Sequence, residues 1–477
     1  MLIQFFLLFF IQLTIIHSSA IESKHVTLFC NGESEDGVET DIVNKDFDDG
    51  LESFYDLLNT VKPVKKNHYD DGAVKVSKVF NGLGKKIEKF EDIEEGDYLY
   101  LVAEGLHFVW PFVKLGHNVT VDKSIISLPD SDAQVIVESV AESPRVFRIH
   151  NFFTPSEADE LIRGVESITD ERFKLKRSST GVDTDPDKVV YATTRTSENA
   201  FDTNTPTAVA LKHRMFEFLR IGFYNEDMAD GLQLLRYKPK QAYIPHHDWF
   251  DAAADPKFNF DPALGGANRF ATVFLYLSDV EEGGQTVFPL ADTPPPTITG
   301  VERQTKIPKE AADLFGPDDW EMNMLGKCYS QLSFKPKKAT ALLFYSQTGS
   351  GVLDEMSLHG ACPVLKGTKW GANLWIWNDA RHGLYPNTNE PDPKMQAITA
   401  VFVNREEVPV SLHWSGQPLQ TIEAGERTSF NTYHDHEWSA VVNEKIIWQH
   451  KIKLDDGEHQ THYIDAPEDV AIDRDEL

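Results

Sequence analysis

The stretch Tyr243-Ile-Pro-His246-His247-Asp248 carries side chains that can bind a metal ion. His246 and Asp248 are two residues apart, so on a β-strand they would point to the same face. A second imidazole from far along the chain would complete a set of two histidines and one carboxylate. Such a set leaves three positions open on Fe(II), which is room for a bidentate co-substrate and O₂. We expect the side chain of His247 to face away from this metal.

A distal histidine and a distal lysine fit the same chemistry. His359 is followed ten residues later by Lys369, whose ammonium could pair with the carboxylate tail of a small dicarboxylate. Thr286, which follows a Gly-Gly turn, could donate its hydroxyl to that carboxylate. Taken singly, His359 could equally be a core histidine and Lys369 a solvated lysine.

The central region, residues 141–385, contains the elements that must position these residues. Thr154-Pro-Ser-Glu157 has the pattern of a capped helix start, and a second helix is expected around residues 207–222. From Leu232 onward, short apolar runs alternate with turns up to Trp377. Many short strands after helices predict a double-stranded β-helix, or jelly roll, which can hold a metal between its sheets.

Four motifs in this region closely resemble the prolyl 4-hydroxylase family of Fe(II)- and 2-oxoglutarate-dependent dioxygenases. They are LQLLRY from residue 232, YIPHHD from residue 243, RFATVFLYLSDVEEGGQTVFP from residue 269 and HGACPVLKGTKW from residue 359. The resemblance covers roughly residues 145 to 380. In place of the family's Lys-Gly-Asp before one strand, the chain has Lys338-Ala-Thr340, and the acidic segment 251–261 is longer than is typical.

The resemblance implies a role for nine residues. His246, Asp248 and His359 would be the catalytic iron ligands. Lys369, with Thr286 and Tyr237, would bind 2-oxoglutarate, and Tyr243, Arg269 and Trp375 would line the peptide-substrate side. The implied reaction hydroxylates proline C4 with O₂ and 2-oxoglutarate, gives succinate and CO₂, and uses ascorbate to rescue oxidised iron.

Composition excludes some functions and bounds others. The chain has 477 residues, 41% hydrophobic and 25% charged, which is enough for several globular domains. A formal net charge of −29 argues against nucleic-acid binding, because phosphate contacts need a basic surface. Three cysteines leave at least one thiol outside any intrachain disulfide, and we expect no structural disulfide.

The N-terminal and C-terminal segments predict a location in the secretory pathway. Residues 1–20 have an apolar run and small residues typical of a signal peptide, although an uncleaved membrane anchor remains the alternative. The acidic tail, residues 467–477, ends in Arg-Asp-Glu-Leu, a one-residue variant of the endoplasmic-reticulum retrieval signal. Together they predict the lumen of the endoplasmic reticulum, where the sequon at Asn118 could be glycosylated.

Two further domains flank the central region. Residues 21–140 predict a small α+β module of unknown role. After a Pro- and Asn-rich linker, residues 386–396, alternating strands in residues 397–466 predict a β-sandwich. The chain as a whole is therefore expected to be multidomain, α+β and mostly β.

The C-terminal module resembles the β-domain of the von Hippel-Lindau tumour suppressor. Phe402-Val-Asn-Arg405, Gly416-Gln-Pro418 and Thr432-Tyr-His-Asp-His-Glu-Trp438 carry the resemblance. It implies recognition of hydroxyproline, with Thr432, His436 and Trp438 at pocket positions. Ser411 falls where that family has a pocket tryptophan, so a purely structural or docking sandwich is the other interpretation.

The leading hypothesis is a prolyl 4-hydroxylase of the endoplasmic-reticulum lumen that acts on proline-rich or collagen-like polypeptides. A disulfide-isomerase-type subunit is a possible partner. The alternatives are a related oxygenase with another target, such as lysyl residues, and a non-catalytic protein that binds hydroxyproline.

Overall fold

A computed structural model describes most of the chain. The described residues are 21–66, 74–129, 133–170, 173–178, 194–202, 205–222, 224–251, 259–291, 306–381, 398–414, 416–432, 436–443, 445–453, 456–457 and 459–466. The signal-peptide region, the linker, the retrieval signal and most of the acidic segment 251–261 lie outside these ranges. By its contacts the chain divides into two compact units, the second comprising residues 225–229, 251–267 and 379–477. None of the helices in the described ranges is long and apolar enough to cross a membrane.

The N-terminal module is a four-stranded sheet packed on one helix. The sheet order is β2-β1-β4-β3, and β1 runs parallel to β4. Phe54, Tyr55 and Leu58 of the helix pack in a core with Val26, Leu28, Leu99 and Leu101 of the sheet. The elements are β1 (Ser23–Cys30), β2 (Val38–Val43), α1 (Leu51–Val61), β3 (Val76–Asn81) and β4 (Tyr98–Ala103).

The central region contains a nine-stranded sheet facing a four-stranded sheet. Their orders are β5-β6-β7-β16-β12-β19-β10-β9-β8 and β11-β17-β14-β15, and a small sheet pairs β13 with β18. The elements are β5 (Asn118–Thr120), β6 (Ile136–Ala141), β7 (Val146–His150), α2 (Pro155–Glu166), β8 (Lys176–Arg177), β9 (Glu198–Asp202), α3 (Pro206–Phe218), β10 (Leu232–Tyr237), β11 (Tyr243–His246), β12 (Arg269–Tyr276), β13 (Glu282–Gly283), β14 (Thr286–Phe288), α4 (Ala311–Leu314), α5 (Trp320–Cys328), β15 (Leu332–Phe334), β16 (Thr340–Tyr345), β17 (His359–Ala361), β18 (Val364–Lys366) and β19 (Lys369–Trp377).

A core of aromatic and aliphatic side chains joins the two large sheets. Leu235, Phe274 and Phe344 of the nine-stranded sheet pack with Phe288 and Phe334 of the smaller sheet. Burial of apolar surface on facing sheets is the main source of stability for such an arrangement. The mostly β architecture is consistent with the predicted jelly-roll fold.

The predicted start of α2 is confirmed in detail. Thr154 is the N-cap: its Oγ1 accepts from the backbone N of Glu157, and a carboxylate oxygen of Glu157 accepts from the backbone N of Thr154. Arg214 of α3 forms a buried ion pair with the same carboxylate group at 2.9 Å. The capping box therefore also attaches α2 to α3.

Two sequence-based expectations differ from the structure. The domain boundary expected at residue 140 is misplaced, because β5 and β6 pair with β7 and form the edge of the nine-stranded sheet. The expectation of no structural disulfide is wrong, because Cys328 and Cys362 are bonded. The short helices α4 and α5, which were not predicted, bring Cys328 beside the segment that follows β17. Cys30 is a free, partly buried thiol.

The described residues of the C-terminal module form seven strands in two sheets. Their orders are β23-β20-β26 and β22-β21-β24-β25, and one apolar core lies between them. The strands are β20 (Ile398–Asn404), β21 (Val410–Trp414), β22 (Gln417–Ile422), β23 (Arg427–Thr432), β24 (Glu437–Val442), β25 (Lys445–Lys451) and β26 (His459–Ile464).

Candidate active site

His246 and His359 face each other across two paired strands. They are opposite residues in the antiparallel ladder of β11 and β17, and their ring centroids are 4.6 Å apart. Gly360 permits this close pairing, because a Cβ there would lie 3.0 Å from the backbone O of Tyr243 and the N of Pro245. The local sequence thus brings two imidazoles, distant along the chain, into one space.

Asp248 completes the group, but not by strand alternation. β11 ends at His246, so Asp248 lies two residues beyond the strand. The hydroxyl of Thr272 on β12 donates to Asp248 Oδ2 at 2.6 Å, and Arg269 Nη1 donates to the Asp248 backbone O at 3.1 Å. These two contacts with the opposite sheet place the carboxylate.

The three side chains present their metal-binding atoms to a common point. One ligand atom from each of His246, Asp248 and His359 lies within 4.8 Å of the others. Nδ1 of His246 hydrogen-bonds the backbone O of Ile244 at 2.9 Å, and Nδ1 of His359 hydrogen-bonds the backbone O of Ser357 at 3.0 Å. Each Nδ1 therefore carries the proton, which leaves each Nε2 as the free ligand atom.

Electrostatics keep His246 and Asp248 in the protonation states that a cation needs. Burial, reinforced by the neighbouring His359, holds the pKa of His246 well below its usual range, so the ring is neutral. Burial alone would raise the pKa of Asp248, but the two histidines, Arg269 and Thr272 more than offset it and lower that pKa. The carboxylate is therefore ionised at neutral pH. A donor set of two imidazoles and one carboxylate fits Fe(II).

A cavity of about 300 Å³ contains this cluster and reaches down to Lys369. Lys369 is fully buried, and its Nζ has no hydrogen-bond partner within the described ranges. The ammonium lies between aromatic rings, 5.4 Å from the centroid of Tyr237 and 5.7 Å from that of Tyr276. Buried cations require a partner, so an anionic ligand such as the distal carboxylate of 2-oxoglutarate fits this end of the cavity.

Thr286 and Tyr237 lie near Lys369, as expected from the sequence. Thr286 lines the cavity, and its Oγ1 accepts a hydrogen bond from the hydroxyl of Tyr276 at 2.8 Å. The hydroxyl hydrogen of Thr286 is therefore available for a ligand carboxylate. Sequence reasoning missed Tyr276, although a tyrosine at the end of a buried strand was a signal.

Aromatic and guanidinium groups surround the outer part of the cavity. The ring of Tyr243 stacks on His246 with centroids 3.8 Å apart, and Arg195 lies over the same ring at 4.8 Å. Arg269 stacks on Trp375 at 3.7 Å. The three predicted substrate residues, Tyr243, Arg269 and Trp375, therefore all line the cavity.

A partly buried carboxylate behind this region was not predicted. Asp230 binds Arg269 through two contacts, at 3.0 and 2.9 Å, and also accepts from Trp377 Nε1 at 3.2 Å. It therefore fixes the guanidinium that contacts the backbone of Asp248. His247 was expected to face away from the metal; its Nε2 bonds the backbone O of Glu355 at 3.0 Å, although the residue still borders the cavity.

The predicted residues of the C-terminal module also lie together. Thr432 Oγ1 contacts His436 Nδ1 at 3.0 Å and accepts from Trp438 Nε1 at 2.9 Å. Thr432 and Trp438 are buried, whereas Trp414, centred 5.3 Å from the ring of His436, is 40% exposed. The hydroxyl of Thr432 is thus already engaged within the protein.

Comparison with known proteins identifies a family for the region that contains these residues. Residues 232–377 match the model of the 2OG-Fe(II) oxygenase superfamily. Two relatives from Arabidopsis thaliana are prolyl 4-hydroxylase 1, 34% identical over 52% of this chain and 76% of its own length, and probable prolyl 4-hydroxylase 8, 33% identical over 52% and 73%. A viral collagen prolyl hydroxylase from Paramecium bursaria Chlorella virus-1 aligns with a TM-score of 0.31 and 23% identity, over 49% of this chain and 95% of that one.

The fold and the site define a 2-oxoglutarate- and Fe(II)-dependent oxygenase. Within that class, the sequence identity of 33–34% to the plant enzymes, over about three quarters of their length, shows the family. The chain belongs to the prolyl 4-hydroxylase family.

The pH dependence of 2-oxoglutarate binding is a first prediction. Burial lowers the pKa of Lys369 to about 7, and a bound carboxylate favours the protonated form. Binding above pH 7 must therefore take up a proton, so we expect affinity about tenfold weaker at pH 8 than at pH 6. Calorimetry of Mn(II)-loaded protein at both pH values measures this.

The matched control for this prediction is Lys369→Arg. A guanidinium stays charged throughout this range, so the variant should bind 2-oxoglutarate with little change between pH 6 and pH 8. Equal affinity of the wild-type protein at both pH values would contradict the assignment of the buried ammonium to the co-substrate.

Proposed function

We propose that this prolyl 4-hydroxylase acts on proline-rich polypeptides of the secretory pathway, with the nine cavity residues in the roles expected above. The proposal rests mainly on the charge of the cavity. Among the described residues that line it, Asp248 is the only carboxylate, whereas Arg195, Arg269 and Lys369 are cationic. Asp230 pairs with Arg269 and 2-oxoglutarate would pair with Lys369, so among the described lining residues no carboxylate other than the metal ligand Asp248 is left to pair with a lysyl ammonium. A neutral pyrrolidine ring needs no such partner, which favours proline over lysine.

Hydrogen-bonding capacity supports the same substrate. Nε1 of Trp375 is a buried donor without a hydrogen-bond partner in the described part of the chain. Proline-rich chains adopt the polyproline II conformation, in which carbonyl groups are free and proline has no N–H. Such a chain offers acceptors and apolar rings, and these suit an indole donor beside aromatic surfaces.

One row of side chains leads from the cavity to β9, the strand next to the edge strand of the sheet. Phe201, Gln233 and Asn373 are opposite residues on β9, β10 and β19, and all three line the cavity. Asn373 Nδ2 donates to Gln233 Oε1 at 3.1 Å, and Phe201 is 48% exposed. This continuous surface suits an extended polypeptide rather than a free amino acid.

The chain's own residues would perform most of the positioning. Lys369 and Thr286 would hold the distal carboxylate of 2-oxoglutarate, and His246, Asp248 and His359 would hold Fe(II). When bound, Fe(II) and 2-oxoglutarate would supply the oxidative chemistry with O₂ that hydroxylates proline C4 and releases succinate and CO₂. Phe274 and Phe344 line the cavity between the two ends, where they exclude water. Arg269 would orient the peptide while it fixes the backbone of Asp248.

The experiment compares peptide substrates in the presence of Fe(II), 2-oxoglutarate and ascorbate. We expect succinate formation and 4-hydroxyproline with a proline-rich peptide, and neither with a peptide whose prolines are replaced by lysine. Trp375→Phe should raise the KM for the peptide about tenfold, because one buried hydrogen bond is lost, and should leave the KM for 2-oxoglutarate unchanged.

Trp320→Phe is the matched control, because Trp320 lies on α5 and does not line the cavity. It should leave both KM values unchanged. Hydroxylysine without hydroxyproline in the products would overturn the proline assignment and establish the lysyl alternative.

Residence in the lumen of the endoplasmic reticulum is part of the proposal. The Cys328–Cys362 disulfide is typical of oxidising compartments. Asn118 is exposed on β5, where a glycan has room. A mobility shift on endoglycosidase treatment, absent in Asn118→Gln, would support this location; cytosolic staining of the full chain would oppose it. Ascorbate as reductant and a disulfide-isomerase-type partner belong to the same proposal.

Hydroxyproline binding by the C-terminal module is a second candidate function. The clustering of Thr432, His436 and Trp438, with the exposed Trp414 beside them, favours it. Trp414 and His436 are the accessible members of this group, whereas Thr432 and Trp438 are buried, so a hydroxyproline hydroxyl could reach Thr432 only if its contact with His436 opened. Calorimetry with hydroxyproline and proline peptides tests this, and equal affinities would exclude selective recognition.

A further inference from the structure

The loop between β16 and β17, residues 346–358, connects two of the site's strands and forms a compact hairpin. The backbone N of Thr348 donates to the O of Val352 at 2.8 Å, and the N of Asp354 donates to the O of Ser346 at 2.9 Å. The last turn of the loop is capped by Asp354, whose carboxylate accepts from the backbone N of Met356.

Three backbone carbonyls of this loop hold residues of the iron site. Ser357 O accepts from His359 Nδ1 at 3.0 Å, which sets the tautomer and orientation of that ligand. Asp354 O accepts from Trp249 Nε1 at 3.3 Å, and Glu355 O contacts His247 Nε2 at 3.0 Å. His247 and Trp249 are the residues on either side of Asp248. The conformation of the loop therefore determines how two of the three ligands are presented.

The other end of the loop contacts the N-terminal module. Asn31, which directly follows β1, donates from Nδ2 to the backbone O of Gly349 at 3.0 Å. The same Nδ2 donates to His107 O at 2.7 Å, and Asn31 Oδ1 accepts from Val109 N at 3.0 Å. Asn31 is only 5% exposed, so all three bonds are shielded from water. One side-chain amide thus joins two distant backbone segments, residues 107–109 and the loop at Gly349, to the end of β1.

Packing at this contact leaves no free space. A Cβ on Gly349 would overlap the backbone carbonyl of Asn31, so only glycine fits. A second contact lies just before the loop, where the backbone N of Trp110 donates to the hydroxyl of Tyr345, the last residue of β16, at 3.0 Å. Asn31 therefore contacts the loop itself at Gly349, and Trp110 contacts the strand that leads into it.

We infer that Asn31 is a positioning residue for the iron site, and that the N-terminal module serves to hold the β16–β17 loop in its metal-binding conformation. The inference rests on the proposed function only in placing Fe(II) at His246, Asp248 and His359. Its physical basis is that partners of metal ligands fix ligand orientation, and a loop that must be ordered on binding lowers the apparent affinity.

The test uses the full-length chain with Asn31→Ala. We expect Fe(II) or Co(II) to bind about tenfold more weakly, since loss of such supporting contacts typically reduces metal affinity by 10- to 100-fold. Anaerobic calorimetry measures the affinity. In the metal-free variant, the backbone amides of residues 347–357 should exchange hydrogen faster than in the wild-type protein. A general loss of stability would instead speed exchange throughout the protein.

Asn59→Ala is the matched control. Asn59 lies in the same module and makes equivalent bonds, to Val74 O at 2.6 Å and from Val64 N at 3.0 Å, but all within the module. It should lower the melting temperature and leave metal affinity within about twofold of wild type. Gly349→Ala tests the contact from the loop side and decides the matter if Asn31→Ala does not fold.

Unchanged metal affinity in both Asn31→Ala and Gly349→Ala would overturn the inference, as would an equal loss in Asn59→Ala. Failure of the wild-type chain to bind metal would instead refute the proposed function, so the two failures are distinguishable.

Discussion

Asp248→Ala will remove metal binding and reduce hydroxylation by at least about 10³-fold. The carboxylate is the only anionic ligand in the cluster, and two neutral imidazoles cannot balance the charge of Fe(II) in a buried cavity. Loss of the metal removes several kcal/mol of chemical stabilisation, and each 1.4 kcal/mol corresponds to about a tenfold change in rate. Metal content after dialysis and single-turnover formation of hydroxyproline are the measurements.

Thr272→Val gives a graded comparison for the same ligand. Valine has the shape of threonine but cannot donate the 2.6 Å hydrogen bond to Asp248 Oδ2. We expect metal affinity to fall about 10- to 100-fold, between wild type and Asp248→Ala. Retention of stoichiometric iron by Asp248→Ala would show that this carboxylate is not a ligand and would require a different metal site.

Lys369→Met will raise the KM for 2-oxoglutarate by about two orders of magnitude or more, because truncating one partner of a buried charge pair costs about 2–5 kcal/mol. The KM for the peptide should change little, since Lys369 lies at the opposite end of the cavity from Trp375. Steady-state kinetics with each substrate varied in turn separates the two effects.

The same substitution should make the ligand-free protein more stable. The buried ammonium has a folded-state pKa of about 7, well below the unfolded value, so between pH 7 and pH 10.5 the unfolded chain binds more protons. Wild-type stability should rise with pH in this window, and its deficit relative to Lys369→Met should be largest below pH 7. If Lys369→Met had a lower free energy of unfolding than the wild-type protein at pH 6, Lys369 could not be an unpartnered buried cation in the ligand-free enzyme.

The metal cluster could be predicted from the sequence because its residues lie in short motifs with local geometry. The pairing of His246 with His359 follows from two adjacent strands. The position of Asp248 does not follow from strand alternation, because Thr272 and Arg269 on the opposite sheet decide it. Local patterns describe neighbours along the chain, whereas these contacts arise only when two sheets face each other.

Long-range contacts explain the remaining differences. The Cys328–Cys362 bond depends on where α5 lies, and neither cysteine has a spacing signal. Asp230 and Arg269 meet only because β10 and β12 flank β19. The bond from Asn31 to Gly349 joins residues 318 positions apart, a relation that no periodicity encodes. The predicted strands and the capped helix, by contrast, depend on a few consecutive residues.

The strand order has a consequence for biosynthesis. β12 lies between β16 and β19, and both of these strands follow it in the chain by many residues. A ribosome therefore releases His246 and Asp248 long before the strands that flank β12 exist, and the edges of β10 and β12 stay unpaired during that interval. Such high contact order slows folding and exposes strand edges to aggregation. The metal site also needs His359 on β17, so we expect iron to bind only after β17 has been synthesised and has paired with β11.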